Sequence, residues 1–388
     1  GSYGLTASIG SATNALPVFY DQISRRQLLK DQEVQTYIST LQNRKLTWEK
    51  SYDANIGLDL RFFKNKVNLT VDVYNRNIYD LLGNLNTSGI GGESVKLANY
   101  AEMSSKGLEF TVSGSPVTAG DFKWTTNFNL AFNQTKITKL DALPNIWRAV
   151  SATGGAVLGY PQRGLFSVKF AGLDPEYGYP TFYGTDGAAT TYIRLQDDDI
   201  DILKYEGPTD PTTTGGFFNV FKYKNFSLST LFKFSAGNAL RLAPSIAASY
   251  SDMTTLSRDV LNRWILPGDE KITNVPALLD PVTAASILSS TGSTTNARYP
   301  YNLYNYSTER VVSGNYIKLS RITASYDIPK RITSKFKMTN ASLIAACDNV
   351  AVLYADKRLN GEDPEFFSTG GVALPVPTQF TLSLRIGF

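Results

Sequence analysis

The sequence predicts an all-β protein: a transmembrane antiparallel β-barrel segment of about ten strands with long loops. Three observations carry this prediction: period-two alternation of apolar and polar residues, short polar turns between very long loops, and a composition rich in aromatic residues. The 388 residues include 22 Tyr and 21 Phe but only 3 Met, and 42% are hydrophobic. Apolar residues are thus spread thinly, as expected for sheets with a single apolar face.

Composition and charge exclude several classes of protein. The net charge is +4 without a block of Lys or Arg, so no nucleic-acid partner is expected. No stretch approaches the roughly 20 consecutive apolar residues of a transmembrane helix, which leaves a barrel as the only way to span a bilayer. The sequence has no His and a single Cys, Cys347. Catalytic triads with His and Cys/His zinc sites are therefore excluded, and we expect neither an enzyme nor a cofactor.

The clearest alternation ends the chain. One face of the predicted last strand carries Phe380, Leu382, Leu384, Ile386 and Phe388, with polar residues and Gly between them, which is a strict period of two. Exported barrels resemble one another in ending on an aromatic residue that the insertion machinery reads. We therefore expect these five residues to form the assembly signal.

Four hairpins are predicted where two alternating segments flank a short turn. They join residues 56–62 to 67–73, 108–112 to 122–132, 216–222 to 226–234, and 316–326 to 341–347. Their turns are predicted at 64–66, at 114–121, at 223–225 and near Pro329. The polar faces are expected to line the lumen with Asn68, Thr70, Asp72, Lys123, Asn127, Asn129 and Lys233.

The connections between these hairpins are long. They are predicted at residues 11–45, 83–100, 140–212, 241–312 and 351–376, a pattern rare in soluble domains and common in outer-membrane barrels. All four short turns fall on one rim if residues 140–212 make one excursion without crossing the membrane. An open sheet of this size would leave an unpaired edge in lipid at each end, so we expect partner strands from an N-terminal segment.

Seven pieces of sequence occur in a fixed order along the chain. They are LTWEKSYDANIGLDLRFF (46–63), SSKGLEF (104–110), GYPQRGLFSVKFAGLDPEYGYPTFYGTDG (159–187), FFNVFKYKNFSLSTLFKFSAGN (217–238), RWILPGDE (263–270), GNYIKLSRITASYDIP (314–329) and DPE (363–365). In this order they resemble the C-terminal part of the SusC/RagA family, the TonB-dependent outer-membrane transporters of the Bacteroidetes. The resemblance covers essentially the whole chain. It departs at Cys347-Asp348-Asn349-Val350, where the family has a Gly-Gln-Asn-Leu type sequence and where we expect no functional consequence.

The resemblance implies a barrel of roughly 22 strands, of which this chain supplies the last ten or so in the cell outer membrane. The plug, the TonB box and the N-terminal carboxypeptidase-regulatory-like domain of the family are not found in this sequence. The implied partners are the N-terminal part of the same transporter with its plug, the TonB system acting through that part, a SusD-like surface lipoprotein that forms a lid, and outer-membrane lipid.

The function implied by the resemblance is TonB-dependent import of a nutrient oligomer, either a glycan or a peptide. Two alternatives stay open on the sequence alone. One is a passive porin-like outer-membrane channel, and the other is a soluble β-sandwich adhesin, because alternation by itself also fits a sheet that faces water.

Aromatic residues in the loops are the candidate contacts for a substrate or a partner. These are Trp264, Tyr299, Tyr301, Tyr304 and Tyr306, since such rings can stack on sugars or anchor a protein interface. The alternative is a membrane-interface girdle or packing within the loop. Residues 140–212 and 241–312 are expected to form the docking surface for the lid.

Two groups of carboxylates are candidate sites. Asp197, Asp199 and Asp201 are weak candidates for a Ca²⁺ site, against the interpretation that they form a solvated, self-repelling loop. Asp363 and Glu365 flank Pro364, and for them we expect turn and strut hydrogen bonds rather than the acid/base pair of a glycosidase.

Overall fold

A computed structural model gives the fold, and it describes residues 1–8, 16–25, 32–40, 42–64, 66–86, 95–142, 146–195, 200–245, 257–291, 296–369 and 377–388. Within these residues the chain forms one 10-stranded sheet, one 3-stranded sheet and 2-stranded ribbons. The helices are short, and none of those described is long and apolar enough to cross a membrane.

Strands of very different lengths make up the N-terminal part. They are β1 (Ser2–Ser8), β2 (Val18–Arg25), β3 (Gln32–Thr40), β4 (Glu49–Phe62), β5 (Val67–Asn86), β6 (Val95–Ala119) and β7 (Phe122–Leu140). A region of small elements follows, with α1 (Ile146–Val150), β8 (Gly164–Val168), β9 (Phe170–Leu173), β10 (Pro180–Tyr183), β11 (Ala189–Thr190), a 3-10 turn (Ile200–Ile202) and β12 (Leu203–Pro208).

The C-terminal part returns to long strands. It contains β13 (Thr213–Tyr223), β14 (Phe226–Ala236), β15 (Ala239–Arg241), α2 (Pro281–Thr291), α3 (Tyr299–Asn305), β16 (Val311–Ser313), β17 (Tyr316–Asp327), α4 (Lys330–Thr333), β18 (Asn340–Tyr354) and β19 (Gln379–Gly387). Short 3-10 turns lie at Arg258–Asn262, Asp269–Lys271, Thr308–Arg310, Ser334–Phe336, Lys357–Leu359 and Pro364–Thr369.

The main sheet has the order β1-β4-β5-β6-β7-β13-β14-β17-β18-β19, and every neighbouring pair in it is antiparallel. The ten predicted strands and all four predicted hairpins are confirmed. Because β7 pairs directly with β13, residues 140–212 leave and return on the same side, as parity required. The four hairpin turns lie on one edge, the short-turn rim, and the long connections lie on the other, the long-loop rim.

Two connections differ from the prediction. The turn expected at 114–121 is shorter and consists of Gly120 and Asp121, because β6 continues to Ala119. The strand contains a bulge between Gly114 and Val117. Pro116 sits inside this bulge, where the ladder of hydrogen bonds is already interrupted. The loop expected at 83–100 consists largely of strand, since β5 extends to Asn86 and β6 begins at Val95.

One face of the main sheet is apolar from strand to strand. The register aligns a single row of Leu60, Leu69, Val112, Phe128, Phe217, Phe232 and Leu319. These side chains do not form a buried core, because all seven are partly exposed; two rows further along the same face, Ile56 is 71% exposed and Val73 is 50% exposed. An apolar face of this width, left uncovered by the chain, is the lipid-facing band of a membrane barrel.

Aromatic rings border this outer face near the short-turn rim. They include Phe62, Trp124, Phe221, Tyr223, Phe226 and Tyr326. Trp124 and Phe221 stack with ring centroids 6.1 Å apart. Rings in this position form the aromatic girdle that marks a membrane–water interface.

The opposite face of the sheet is polar, and all seven polar residues predicted to line a lumen lie on it. Its side chains bond across the strands: Thr70 donates to Asp59 at 2.7 Å, and Ser105 donates to Asn133 at 2.8 Å. Gly107 lies under the ring of Tyr74 on the neighbouring strand, and a Cβ at this glycine would overlap the ring. This close approach explains the glycine of the SSKGLEF piece.

Candidate functional site: the loop layer on the long-loop rim

The two longest connections fold together instead of remaining separate loops. They share one core, formed by Ile146, Ala149, Val150, Val157, Phe166, Val168, Tyr179, Phe182, Ile193, Leu195, Ile202, Leu203, Ile287, Tyr301, Leu303 and Tyr304. We call the described parts of residues 141–212, 237–315 and 355–369 the loop layer. Its interior obeys the ordinary rule of a water-soluble domain, with apolar side chains inside.

Three of the predicted aromatic contact residues lie inside this layer. Tyr301 is 1% exposed, Tyr304 is 2% exposed and Trp264 is 7% exposed. Burial raises the pKa of Tyr304 to about 12 and also raises that of Tyr301. The ring of Trp264 lies against Gly178, which has a φ of 70° and leaves no room for a Cβ there. For these three residues the structure supports packing within the loop, the alternative to direct contact.

The other two predicted aromatic residues lie at the edge of the core. Tyr306 meets Trp147 edge-on at 5.8 Å, and Tyr299 tilts against Tyr192 at 5.0 Å. Trp147 is 43% exposed and Tyr192 is 50% exposed. The accessible rings of the layer therefore include two that sequence reasoning missed, because their segments show no alternation or motif that marks exposure.

A buried arginine ties the two loops together. The Arg241 guanidinium donates to the carbonyl oxygen of Phe166 at 2.7 Å, to Ser167 Oγ at 2.9 Å and to the carbonyl oxygen of Ser307 at 3.2 Å. Its centre lies 5.9 Å from the ring of Tyr306. Burial lowers the pKa of Arg241, and these hydrogen bonds to a charged donor offset the cost of that burial.

A buried ion pair ties the layer to the inner face of the sheet. Lys318 on β17 lies 2.5 Å from Asp363 and 3.2 Å from Glu365, and Lys233 on β14 lies 3.8 Å from Glu365. Asp363 also accepts a hydrogen bond from the backbone N–H of Glu365 at 3.0 Å. The expected strut is confirmed, and it explains the DPE piece as a structural contact.

The RWILPGDE piece forms a rigid turn on the layer. Asp269 accepts from the backbone N–H groups of Leu266 at 3.0 Å and Ile265 at 2.9 Å, and these two bonds hold the pKa of Asp269 below its usual value. The turn and the residues that flank it expose large aliphatic side chains, which are Leu261 at 74%, Ile265 at 58%, Leu266 at 66% and Ile272 at 84%. We call these four residues the aliphatic turn.

The remaining predicted site residues lie away from the layer's core. Phe380, Leu382, Leu384 and Ile386 are on β19, the edge strand of the sheet, and are 80%, 73%, 61% and 41% exposed; Phe388 follows it at 88%. Asp197 and Asp199 fall outside the described residues, and Asp201 is exposed. Among the described residues no three His, Cys, Asp or Glu side chains are grouped to hold a metal ion.

Comparison with known proteins assigns this architecture to a family. The model of the TonB-dependent receptor-like β-barrel family matches residues 3–200, which is just over half of the chain. The chain belongs to this family. It is therefore an outer-membrane protein, as predicted.

The curated relatives identify the branch of the family. TonB-dependent receptor P3 of Formosa agariphila is 26% identical over 92% of this chain. TonB-dependent receptor SusC of Bacteroides thetaiotaomicron is 32% identical over 110 residues, which are 27% of this chain and 11% of that protein. The predicted likeness to SusC and RagA is confirmed, and the matched relatives are receptors rather than enzymes.

Solved structures share the fold. The RagAB peptide transporter superposes with a TM-score of 0.77 at 21% identity and covers 100% of this chain and 40% of the other. Receptor P3 is likewise only 35% covered, so the chain spans about a third of the length of the curated relatives that match most of it.

Proposed function

We propose that this chain is the C-terminal part of the barrel of a TonB-dependent importer, which takes up a nutrient oligomer with the help of a SusD-like lipoprotein. The loop layer is the observation that carries the proposal. It is a folded layer with its own core, tied to the inner face of the sheet through Lys318. A passive porin-like channel has no need for a folded layer of this extent over its long-loop rim.

The rest of the barrel completes the proposal. In the described sheet β1 and β19 each have only one neighbour, and lipid does not tolerate unpaired strand edges. An N-terminal part of the same transporter supplies the other strands of a barrel of roughly 22. Its plug lies against the polar inner face, and the TonB system acts through that part.

The aliphatic turn supports the lid. Two of its four exposed side chains, Ile265 and Leu266, lie on a turn fixed by Asp269, so docking these two costs little conformational entropy. Apolar anchors surrounded by polar groups are typical of protein interfaces. Exposed rings such as Trp147 are left to contact the cargo, which is a glycan or a peptide.

An uptake experiment tests the import proposal. Cells that carry the intact gene are given labelled peptides or labelled oligosaccharides, with and without a functional TonB system. We expect uptake of one class that stops without TonB. Uptake that continues without TonB would favour the passive channel and overturn the proposal.

A second experiment tests the docking surface. Trimming either loop would destroy the core that both share, so point variants are needed. We expect Ile265→Asp/Leu266→Asp to release the lipoprotein during co-purification and to leave the barrel folded. Ile332→Asp, which changes a residue 48% exposed near the short-turn rim, is the matched control. Retention of the lipoprotein by the double variant would place the docking surface elsewhere.

A further inference from the structure

The outer face of the sheet changes character just above its apolar band. The highest apolar row toward the long-loop rim is formed by Ile56, Val73, Leu108 and Phe132. The next outward row contains Ala54, Asn75, Lys106 and Gln134, and the one after it contains Tyr52, Asn77, Ser104 and Lys136. Since side chains alternate along a strand, all of these residues point to the lipid side.

Two lysines in these rows are unpaired within the part of the chain that the structure describes. Lys106 and Lys136 are exposed, and neither has an ion pair or hydrogen bond among the described residues. They are diagonal neighbours on β6 and β7, a placement that separates two residues by about 7–8 Å. One phosphate group can therefore be reached by both ammonium groups.

Two other lysines near this height are already paired with carboxylates. Lys50 pairs with Asp80 at 2.8 Å, and Lys139 pairs with Asp141 at 3.0 Å and with Glu102 at 3.8 Å. The Lys139 group keeps one negative charge, so the described charges of this sector sum to +1, and Lys106 and Lys136 are its exposed, unpaired cations. On the neighbouring strands β13 and β14, the row of Phe132 continues with the uncharged residues Thr213 and Ala236.

A depression lies beside the two lysines in the same rows. Its volume is about 560 Å³, and its lining includes Tyr3, Tyr52, Asn75, Asn77 and Tyr79 as well as the paired residues Lys50, Asp80 and Glu102. The amides and phenol groups offer hydrogen bonds to a polar headgroup. The apolar row immediately below offers a surface to its acyl chains.

We propose that this sector binds the phosphate group of an anionic glycolipid in the leaflet at the long-loop rim. Lys106 and Lys136 contact the phosphate, the depression holds the sugar part of the headgroup, and the row of Ile56, Val73, Leu108 and Phe132 packs against the chains. Lysines at the membrane surface attract anionic lipid by about 1 kcal/mol each. The proposal rests on the outer-membrane location and is independent of what the protein imports.

The test uses the intact transporter in phosphatidylcholine nanodiscs and measures binding of lipid A, of lipid A without its phosphates, and of inorganic phosphate. For lipid A we expect Lys106→Gln/Lys136→Gln to bind roughly thirty-fold more weakly, which corresponds to about 2 kcal/mol. Lys64→Gln/Lys66→Gln removes two exposed lysines at the opposite rim and should bind like the wild type. Heat-resistant migration of each variant confirms that the barrel is folded.

Several results would overturn the proposal. One is unchanged affinity of Lys106→Gln/Lys136→Gln for lipid A, and another is equal affinity of the wild type for the dephosphorylated lipid. Inorganic phosphate that binds as tightly as lipid A would make this a site for soluble anions. A change in oligomeric state of the double variant without any anionic lipid would make it an interface between copies of the chain.

Discussion

The main sheet, which is the wall of the barrel, and the loop layer place their apolar side chains in opposite ways. The wall exposes them, and the loop layer buries them. In the loop layer Phe182 is 0% exposed and lies in a core, whereas on the wall Ile56 is 71% exposed and points to the lipid side. The difference shows that the surrounding solvent decides which side of an element is apolar. The two regions should therefore respond differently to the same kind of substitution.

The largest effect is expected in the core of the loop layer. Phe182→Ala leaves a cavity between both loops and should cost about 4 kcal/mol of that layer's stability. We expect faster hydrogen exchange and proteolysis throughout residues 146–208 and 281–305, while the barrel keeps its heat-resistant migration. Loss of the barrel in parallel would mean that the two regions fold as one unit.

A charged side chain at the height of the apolar band should destabilise the barrel only where it points to the lipid side. Leu130→Arg places a guanidinium on the lipid side and should destabilise the barrel by about 2–4 kcal/mol. The matched variant Ala131→Arg changes the next residue on β7, whose side chain points to the inner face, and should cost less than about 0.5 kcal/mol. The check is the urea concentration at the midpoint of unfolding in lipid vesicles; equal midpoints would contradict the assignment of the faces.

The ion pair of Lys318 with Asp363, which ties the loop layer to the main sheet, should contribute somewhat less to the free energy of unfolding. Lys318→Met leaves Asp363 without its cation; because Glu365 is 34% exposed and water can reach this site, we expect about 2 kcal/mol, below the cost of breaking a fully enclosed pair. Residues 357–369 should become sensitive to protease. Lys318→Met/Asp363→Leu removes both charges and should restore much of the protection. Equal sensitivity of the single and double variants would show that the buried charge is not the cause.

The smallest effect on stability is expected at the chain end. Phe388 is 88% exposed, so deleting it should change the stability of the assembled barrel by less than about 0.5 kcal/mol. We propose that it acts instead in assembly, with the alternating residues of β19. The amount of folded barrel in the outer membrane should fall, while the unfolded exported chain accumulates. Phe63→Ala, which removes another aromatic ring that is 77% exposed at the short-turn rim, is the control, and equal yields of both variants would contradict the assembly role.

Local patterns predicted the wall well because consecutive residues of a strand point to opposite faces, so the polarity of each face can be read directly from the sequence. The alternation along β4, β5 and β7 was enough to predict the hairpins, and parity was enough to predict the excursion between β7 and β13. The loop layer depends on contacts between distant segments, such as Arg241 with Phe166 or Trp264 with Gly178. No period in the sequence encodes such contacts. The sequence accordingly predicts partner or substrate contacts for Tyr301 and Tyr304, although α3 buries both.

The shared core of the loop layer also fixes an order of events during insertion. Its two halves are separated in the chain by β13 and β14. We expect the second half to reach the first only once this hairpin has joined the sheet and carried residues 241–312 to the same side. Until then, side chains such as Phe182 and Leu195 have only half of their neighbours. Completion of the layer thus reports that the hairpin has crossed, and a barrel stalled before that step would present an open apolar surface to the quality-control proteases of the cell.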